Sequence, residues 1–158
     1  MALARQINKA TIVKIARNSY SPKSSSMQYM ESILESDVCL TLDFDPKVES
    51  YVTQPDSFIN INNEPGWKRY TPDGLIKFTD GSHAFFETKP EFKTWSDDFK
   101  KKHELHKRIV KEQTGHELIL FTEKQLSPGK LIQYSQLVVY CKCESLSEVN
   151  EVVLDHLS

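Results

Sequence analysis

Apolar and polar positions along the chain separate into helical and strand-like stretches. From Met27 the apolar residues Met27, Met30, Leu34 and Val38 follow helical spacing, with Ile33 beside them and Ser24-Ser25-Ser26 ahead as N-caps. That helix is expected to fade near Leu42, before the turn-forming Asp43-Phe44-Asp45-Pro46. Val48 to Thr53 reads as a strand ended by Gln54-Pro55, Phe58 to Ile61 as a shorter one, and Asn62 to Gly66 as a loop. Two further strands, Leu75 to Phe78 and His83 to Lys89, join at Asp80-Gly81, a strong hairpin signal. After Pro90 a polar helix runs from about Thr94 to Gln113, capped by Ser96 or Thr94 and ended by Thr114-Gly115. Phe99, Leu105 and Val110 are its packing residues. Glu117 to Thr122 is nearly continuous in apolar residues, the pattern of a strand buried on both faces. Ser127-Pro128 opens a helix containing Leu131 and Tyr134, which Leu137 to Cys141 either extends or follows as a strand. Ser145 to Leu157 reads as a short amphipathic helix, and Ala10 to Ala16 as a strand or a helical stretch. The order predicts an α/β fold with a mixed central sheet flanked by helices.

Length and charge refine this. A chain of 158 residues suits one domain with a real core. The expected division is a basic N-terminal arm (1–23), a core (24–143) and a C-terminal helix packed on the core (144–158). No apolar run approaches the roughly 18 to 20 residues that span a bilayer, and no signal peptide is evident, so no membrane association is expected. The cysteines, Cys39, Cys141 and Cys143, include a C-x-C pair without the second pair of a structural zinc site; a reduced, cytoplasmic protein is expected. The net charge of -2 conceals an asymmetry: no acid precedes Glu31, while Arg5, Lys9, Lys14, Arg17 and Lys23 do. Such an arm suits contact with a polyanion or serves as an ordinary soluble tail. Lys100 and Lys101, in the lysine-rich helix with Lys102, Lys107, Arg108 and Lys111, either track phosphates or form a solvated face.

Candidate chemistry gathers at the hairpin. Asp73 stands at the entry of the first strand, and Glu87-Thr88-Lys89 ends the second. Two carboxylates at one point repel unless a cation neutralises them, and hard oxygen ligands suit magnesium, with manganese as a substitute. Register decides whether they meet. A strict two-residue turn at Asp80-Gly81 sets Asp73 opposite Thr88, facing away from Glu87 and Lys89. A three-residue loop or a one-residue bulge shifts the pairing and puts all three on one face, so an irregularity is predicted between Gly74 and Phe86. The competing reading is an exposed hairpin with a solvated salt bridge. In the catalytic reading, Asp73 and Glu87 hold one or two divalent ions, with the Thr88 backbone carbonyl as a further ligand. Lys89 orients water or stabilises developing charge, and Glu35, on the first helix, reaches a second metal or its water shell. His103 and His106 sit in His-Glu-Leu-His, one residue short of the zinc pattern, and are expected at the surface of a charged helix. No Gly-rich phosphate loop or G-x-S-x-G elbow is present.

Pro72-Asp73 followed by Glu87-Thr88-Lys89 resembles the PD-(D/E)xK superfamily, the restriction-endonuclease-like fold. Leu34-Glu35, then Leu40-Thr41-Leu42-Asp43-Phe44-Asp45-Pro46-Lys47-Val48, Gln54-Pro55, Tyr70-Thr71-Pro72-Asp73 and Glu87-Thr88-Lys89-Pro90 are similar to the TnsA-type endonuclease of heteromeric transposases. The likeness runs in order from about Met30 to Lys124. It implies magnesium at Glu35, Asp73 and Glu87, Lys89 as the catalytic lysine, and Gln54 in a supporting place. It also implies cleavage of double-stranded DNA at the 5′ ends of a transposon, beside a DDE transposase and an ATPase regulator, in a bacterial cell or an infected bacterial host. A homodimer is a further expectation. Family members usually continue into a C-terminal domain that contacts those partners, and little chain follows the last sheet strand here. The alternatives are a stand-alone nuclease of a phage or mobile element, and a catalytically silent DNA-binding module of the same fold.

Overall fold

The computed structural model describes residues 17–19, 21–24, 27–60 and 65–141. Its elements are β1 (Arg17–Ser19), β2 (Gln28–Met30), α1 (Ile33–Phe44), β3 (Val48–Thr53), β4 (Phe58–Ile59), β5 (Arg69–Tyr70), β6 (Gly74–Phe78), β7 (His83–Thr88), α2 (Asp97–Thr114), β8 (Glu117–Phe121) and α3 (Pro128–Cys141). Four of the strands form one sheet in the order β3-β6-β7-β8, antiparallel except for the parallel pair β7 and β8. A parallel neighbour needs a crossover rather than a hairpin, and α2 supplies it. The α/β class with a mixed sheet between helices is thus the one the sequence predicts.

Alternation along the strands sorts the core into two layers. Ile76 and Phe86 point to one face, where they pack with Val38, Cys39 and Leu42 of α1 and with Val48 and Tyr51. Leu75 and Phe85 point to the other, against Ile109 and Val110 of α2 with Phe58, Tyr70 and Leu118. Val48 and Tyr51 share a face despite their odd spacing because Val48 pairs with Phe78 while Ser50 pairs with Lys77, a bulge at Glu49 that resets the alternation. α3 lies on α1, with Phe44 and Tyr134 stacked at 4.5 Å.

The β6–β7 connection is a three-residue loop, Thr79-Asp80-Gly81. Phe78 N–H donates to the Ser82 carbonyl (2.9 Å) and Gly81 N–H to the Phe78 carbonyl (3.0 Å), while Gly81 takes φ 85°. The resulting register sets Lys77 against His83 and Gly74 against Phe86, one residue away from that of a two-residue turn. This is the predicted irregularity. At Gly74 the two strands approach so closely that a Cβ would lie 2.2 Å from the Phe86 ring.

Several elements differ from expectation. The helix does not begin at Met27: Gln28–Met30 is a strand paired with β1, and α1 starts after Ser32, whose hydroxyl accepts from Glu35 N–H (3.1 Å). Gln28 is drawn into the strand arrangement because its side-chain carbonyl accepts from Thr53 N–H (2.7 Å). β5, pairing with β4, was not anticipated. β8 is an edge strand in which Leu118 alone is fully buried, not a strand buried on both faces. α2 runs from its Ser96 cap to a left-handed Gly115, and Leu137 to Cys141 extends α3. The C-terminal helix and Ala10 to Ala16 fall outside the described residues, and Ile61 with them.

Candidate active site

The strand pair β6–β7 delivers its acids to one end of the sheet. The ladder closes at Gly74 opposite Phe86, and one step further Asp73 comes beside Glu87. Here the side chain takes over from the backbone: Asp73 Oδ2 accepts from Thr88 N–H (2.7 Å) and from the Thr88 hydroxyl (2.9 Å). The Asp73 carbonyl meanwhile accepts from Gln54 N–H (2.8 Å). That bond continues the β3–β6 pairing one step past Thr53 and Gly74, and Gln54 then turns the chain away with φ 49°, a left-handed backbone rare outside glycine. Gln54 therefore supports the site through its main chain.

Glu87 is almost entirely buried, on the α2 face of the sheet. Its Oε2 faces Tyr70 Oη (3.4 Å), His103 Nδ1 (3.2 Å) and His106 Nδ1 (3.6 Å). Its Oε1 meets Lys89 Nζ at 3.5 Å. Burial alone would raise the Glu87 carboxyl, but His103, His106 and the Lys89 charge outweigh it and hold the group well below the usual carboxylate range. Asp73 goes the other way: burial pushes it up, aided by the neighbouring Glu87 charge and only partly offset by Lys89 and the Thr88 hydrogen bonds. Glu35 is also pushed up by burial and by Asp73, against the pull of its hydrogen bonds. Its oxygens are engaged at the start of α1, Oε2 accepting from Glu31 N–H (2.7 Å) and Oε1 from the Ser32 hydroxyl (3.1 Å).

Glu35, Asp73, Glu87, Thr88 and Lys89 line one cleft of about 750 Å³, together with Arg69, Tyr70, Lys93, Lys102 and His106. So the structure brings together all four predicted catalytic side chains. Among the described residues no three His, Cys, Asp or Glu side chains are grouped tightly enough to share one ion. Magnesium does not require such a cage, since it keeps several waters and takes one or two carboxylates plus substrate oxygens. Asp73 and Glu87 fit that demand: each is anchored through one oxygen, Oδ2 or Oε2, while among the described residues Oδ1 has no hydrogen bond and Oε1 has only the Lys89 contact.

Within this setting a family model described as TnsA-like endonuclease N terminal matches residues 45–123, half of the chain. The chain belongs to this family. The TnsA-like match takes in Gln54, Asp73, Glu87 and Lys89 and leaves Glu35 outside it. No curated protein matches the chain. The TnsA-like domain makes this a chain of a nuclease family, with the restriction-endonuclease-like core that the sequence suggests.

His103 and His106 are corrections to the sequence reading: they are buried, not at the surface, and they face Glu87. His106 stacks on Tyr70 at 3.7 Å and His103 on Phe99 at 5.6 Å. The signal was available, because Phe99, His103, His106 and Val110 follow one helical stripe that faces the sheet. The expected DNA contacts are distributed differently. Lys100 and Lys101 line a separate shallow groove with Glu104, Leu105 and Arg108, whereas Lys102 lines the acidic cleft. Lys23 donates to the Leu42 (3.1 Å) and Asp45 carbonyls, closing the end of α1. Arg5, Lys9 and Lys14 lie outside the described residues, as does the side chain of Arg17. No helix among the described residues is long and apolar enough to cross a membrane.

Proposed function

We propose that this chain is a magnesium-dependent DNA endonuclease of TnsA type, cutting double-stranded DNA at the 5′ ends of a transposon beside a DDE transposase. The observation that carries the nuclease reading is the pair Asp73 and Glu87, each anchored through one oxygen and both lining the same cleft. In the reading, Asp73 Oδ1 and Glu87 Oε1 hold the ion, with the Thr88 carbonyl as a further ligand and Glu35 behind them against its water shell. Bound there, the ion supplies a polarised water and a neutralised phosphate. Lys89 Nζ, 3.5 Å from Glu87 Oε1 and partly exposed, can donate to the attacking water or to a phosphoryl oxygen as charge grows on it. Tyr70, His103 and His106 keep Glu87 ionised and its Oε2 in place, so that Oε1 stays directed to the ion. The transposase, the ATPase regulator and self-association rest on the family likeness alone.

The test is incubation with supercoiled plasmid and with transposon-end DNA, with magnesium or manganese, with and without a transposase. Metal-dependent nicking that disappears in Asp73→Asn and Lys89→Ala is expected. Cleavage appearing only with the transposase supports the partnership, cleavage without it a stand-alone nuclease, and none under any condition defeats the catalytic reading.

A further inference from the structure

Immediately beyond Lys89-Pro90 the chain forms a short 3-10 turn, Glu91–Thr94, that exposes two large aromatic rings. Phe92 is 63% exposed and Trp95 65%, among the most exposed large apolar side chains of the described residues. The turn is held firmly. Glu91 N–H donates to Glu123 Oε2 (2.7 Å), and Glu91 Oε1 accepts from Lys124 Nζ (2.6 Å) and from the Trp95 indole N–H (3.3 Å). The Thr94 hydroxyl closes the turn on the Glu91 carbonyl (2.7 Å). Between the rings stands Lys93, which lines the acidic cleft and passes 5.8 Å from the Phe92 ring. Arg69 and Lys102 line the same cleft, and among the described residues none of these three cations makes an ion pair.

Exposed rings on a hydrogen-bonded turn that also carries the cleft-lining Lys93 suit a ligand with both aromatic faces and phosphates. In a duplex the base faces are covered by their neighbours, and only an unpaired stretch offers them. We infer that this rim binds an unpaired nucleic-acid strand, bases stacked on Phe92 and Trp95 and phosphates held by Arg69, Lys93 and Lys102, so that the substrate carries a single-stranded segment next to the cleaved bond. The inference deepens the nuclease reading and rests on it only for the strand's place over Asp73 and Glu87. Because the turn that carries the rings is hydrogen-bonded before binding, little backbone ordering is lost when a base stacks on them.

The experiment is anisotropy of a labelled oligothymidine and of a blunt duplex of equal length, in EDTA so that no cleavage intervenes. The single strand is expected to bind at least about tenfold more tightly, and Phe92→Ala and Trp95→Ala each to weaken it about tenfold while leaving duplex binding within about twofold. Lys93→Ala and Lys102→Ala should weaken both ligands and flatten the salt dependence. Ring-retaining Phe92→Tyr and Trp95→Phe should restore single-strand binding, and circular dichroism confirms that every variant is folded. Equal affinity for strand and duplex, or indifference to loss of the rings, overturns the inference. So does a double variant that binds the strand normally but changes the sedimentation of the protein, which would make the rings a protein contact. None of these readouts depends on hydrolysis, so plasmid cleavage can fail while strand binding stands, or the reverse.

Discussion

Asp73 is a half-buried carboxylate whose surroundings oppose its charge, whereas Glu87, its neighbour, is held ionised. Removing the charge from Asp73 while keeping an acceptor for Thr88 should therefore stabilise the ion-free protein. Asp73→Asn is expected to melt at higher temperature than wild type in EDTA at neutral pH. Magnesium should then raise the melting temperature of wild type alone, by the linkage of about 2.7 kcal/mol at a hundred times its dissociation constant; calorimetry with and without the ion checks both. For Glu87 the expectation is reversed: His103→Ala should let the carboxyl titrate at higher pH, seen by carbon NMR of the side chain, and weaken magnesium binding about 10- to 100-fold. The meeting of Asp73, Glu87 and Lys89 was legible in the sequence because their places along the hairpin bring them to one end of it. His103 and His106 were missed, although they share a helical stripe with Phe99 and Val110, because they were judged by motif spacing along the chain and not by the stripe of α2 that meets the sheet.

At the level of elements, the three-residue loop sets the register and the register sets the site. Deleting Asp80 to leave a two-residue turn should shift the pairing by one and turn Asp73 away from Glu87. The expected outcome is loss of the magnesium-induced rise in melting temperature, with the strand content in circular dichroism largely kept. Gly74 has a related constraint: Gly74→Ala drives a methyl into Phe86, and overpacking of this kind costs about 1–3 kcal/mol or more, measurable by urea unfolding. The hairpin, β3 and both ends of α2 were readable from local signals such as Gly81, the Ser96 cap and Gly115. The start of α1 was misplaced because Met27, Met30, Leu34 and Val38 satisfy helical spacing, while the bond from Thr53 to Gln28 that makes a strand there spans distant sequence. β8 was read as buried on both faces because its composition is apolar, and composition does not reveal which strand lies at an edge.

Across the whole molecule, acids with opposite shifts give stability an unusual pH dependence. The raised Asp73 and Glu35 favour folding while protonated, and that contribution is lost as pH rises through their folded values. Glu87, shifted down, contributes fully above its unfolded value and loses this progressively as pH falls below it toward the lowered folded value. The melting advantage of Asp73→Asn over wild type should hence vanish below about pH 4, where aspartate is protonated in both states. The hydrogen bonds from Thr88 to Asp73 carry a consequence for how any such experiment is read. The residue proposed to bind the ion is also the clasp between two inner strands, so an alanine there loosens the end of the β6–β7 pair as well as emptying a ligand position. An inert alanine variant would thus report a damaged scaffold and a missing ligand in one signal, and only the isosteric amide, which keeps the clasp shut, separates them.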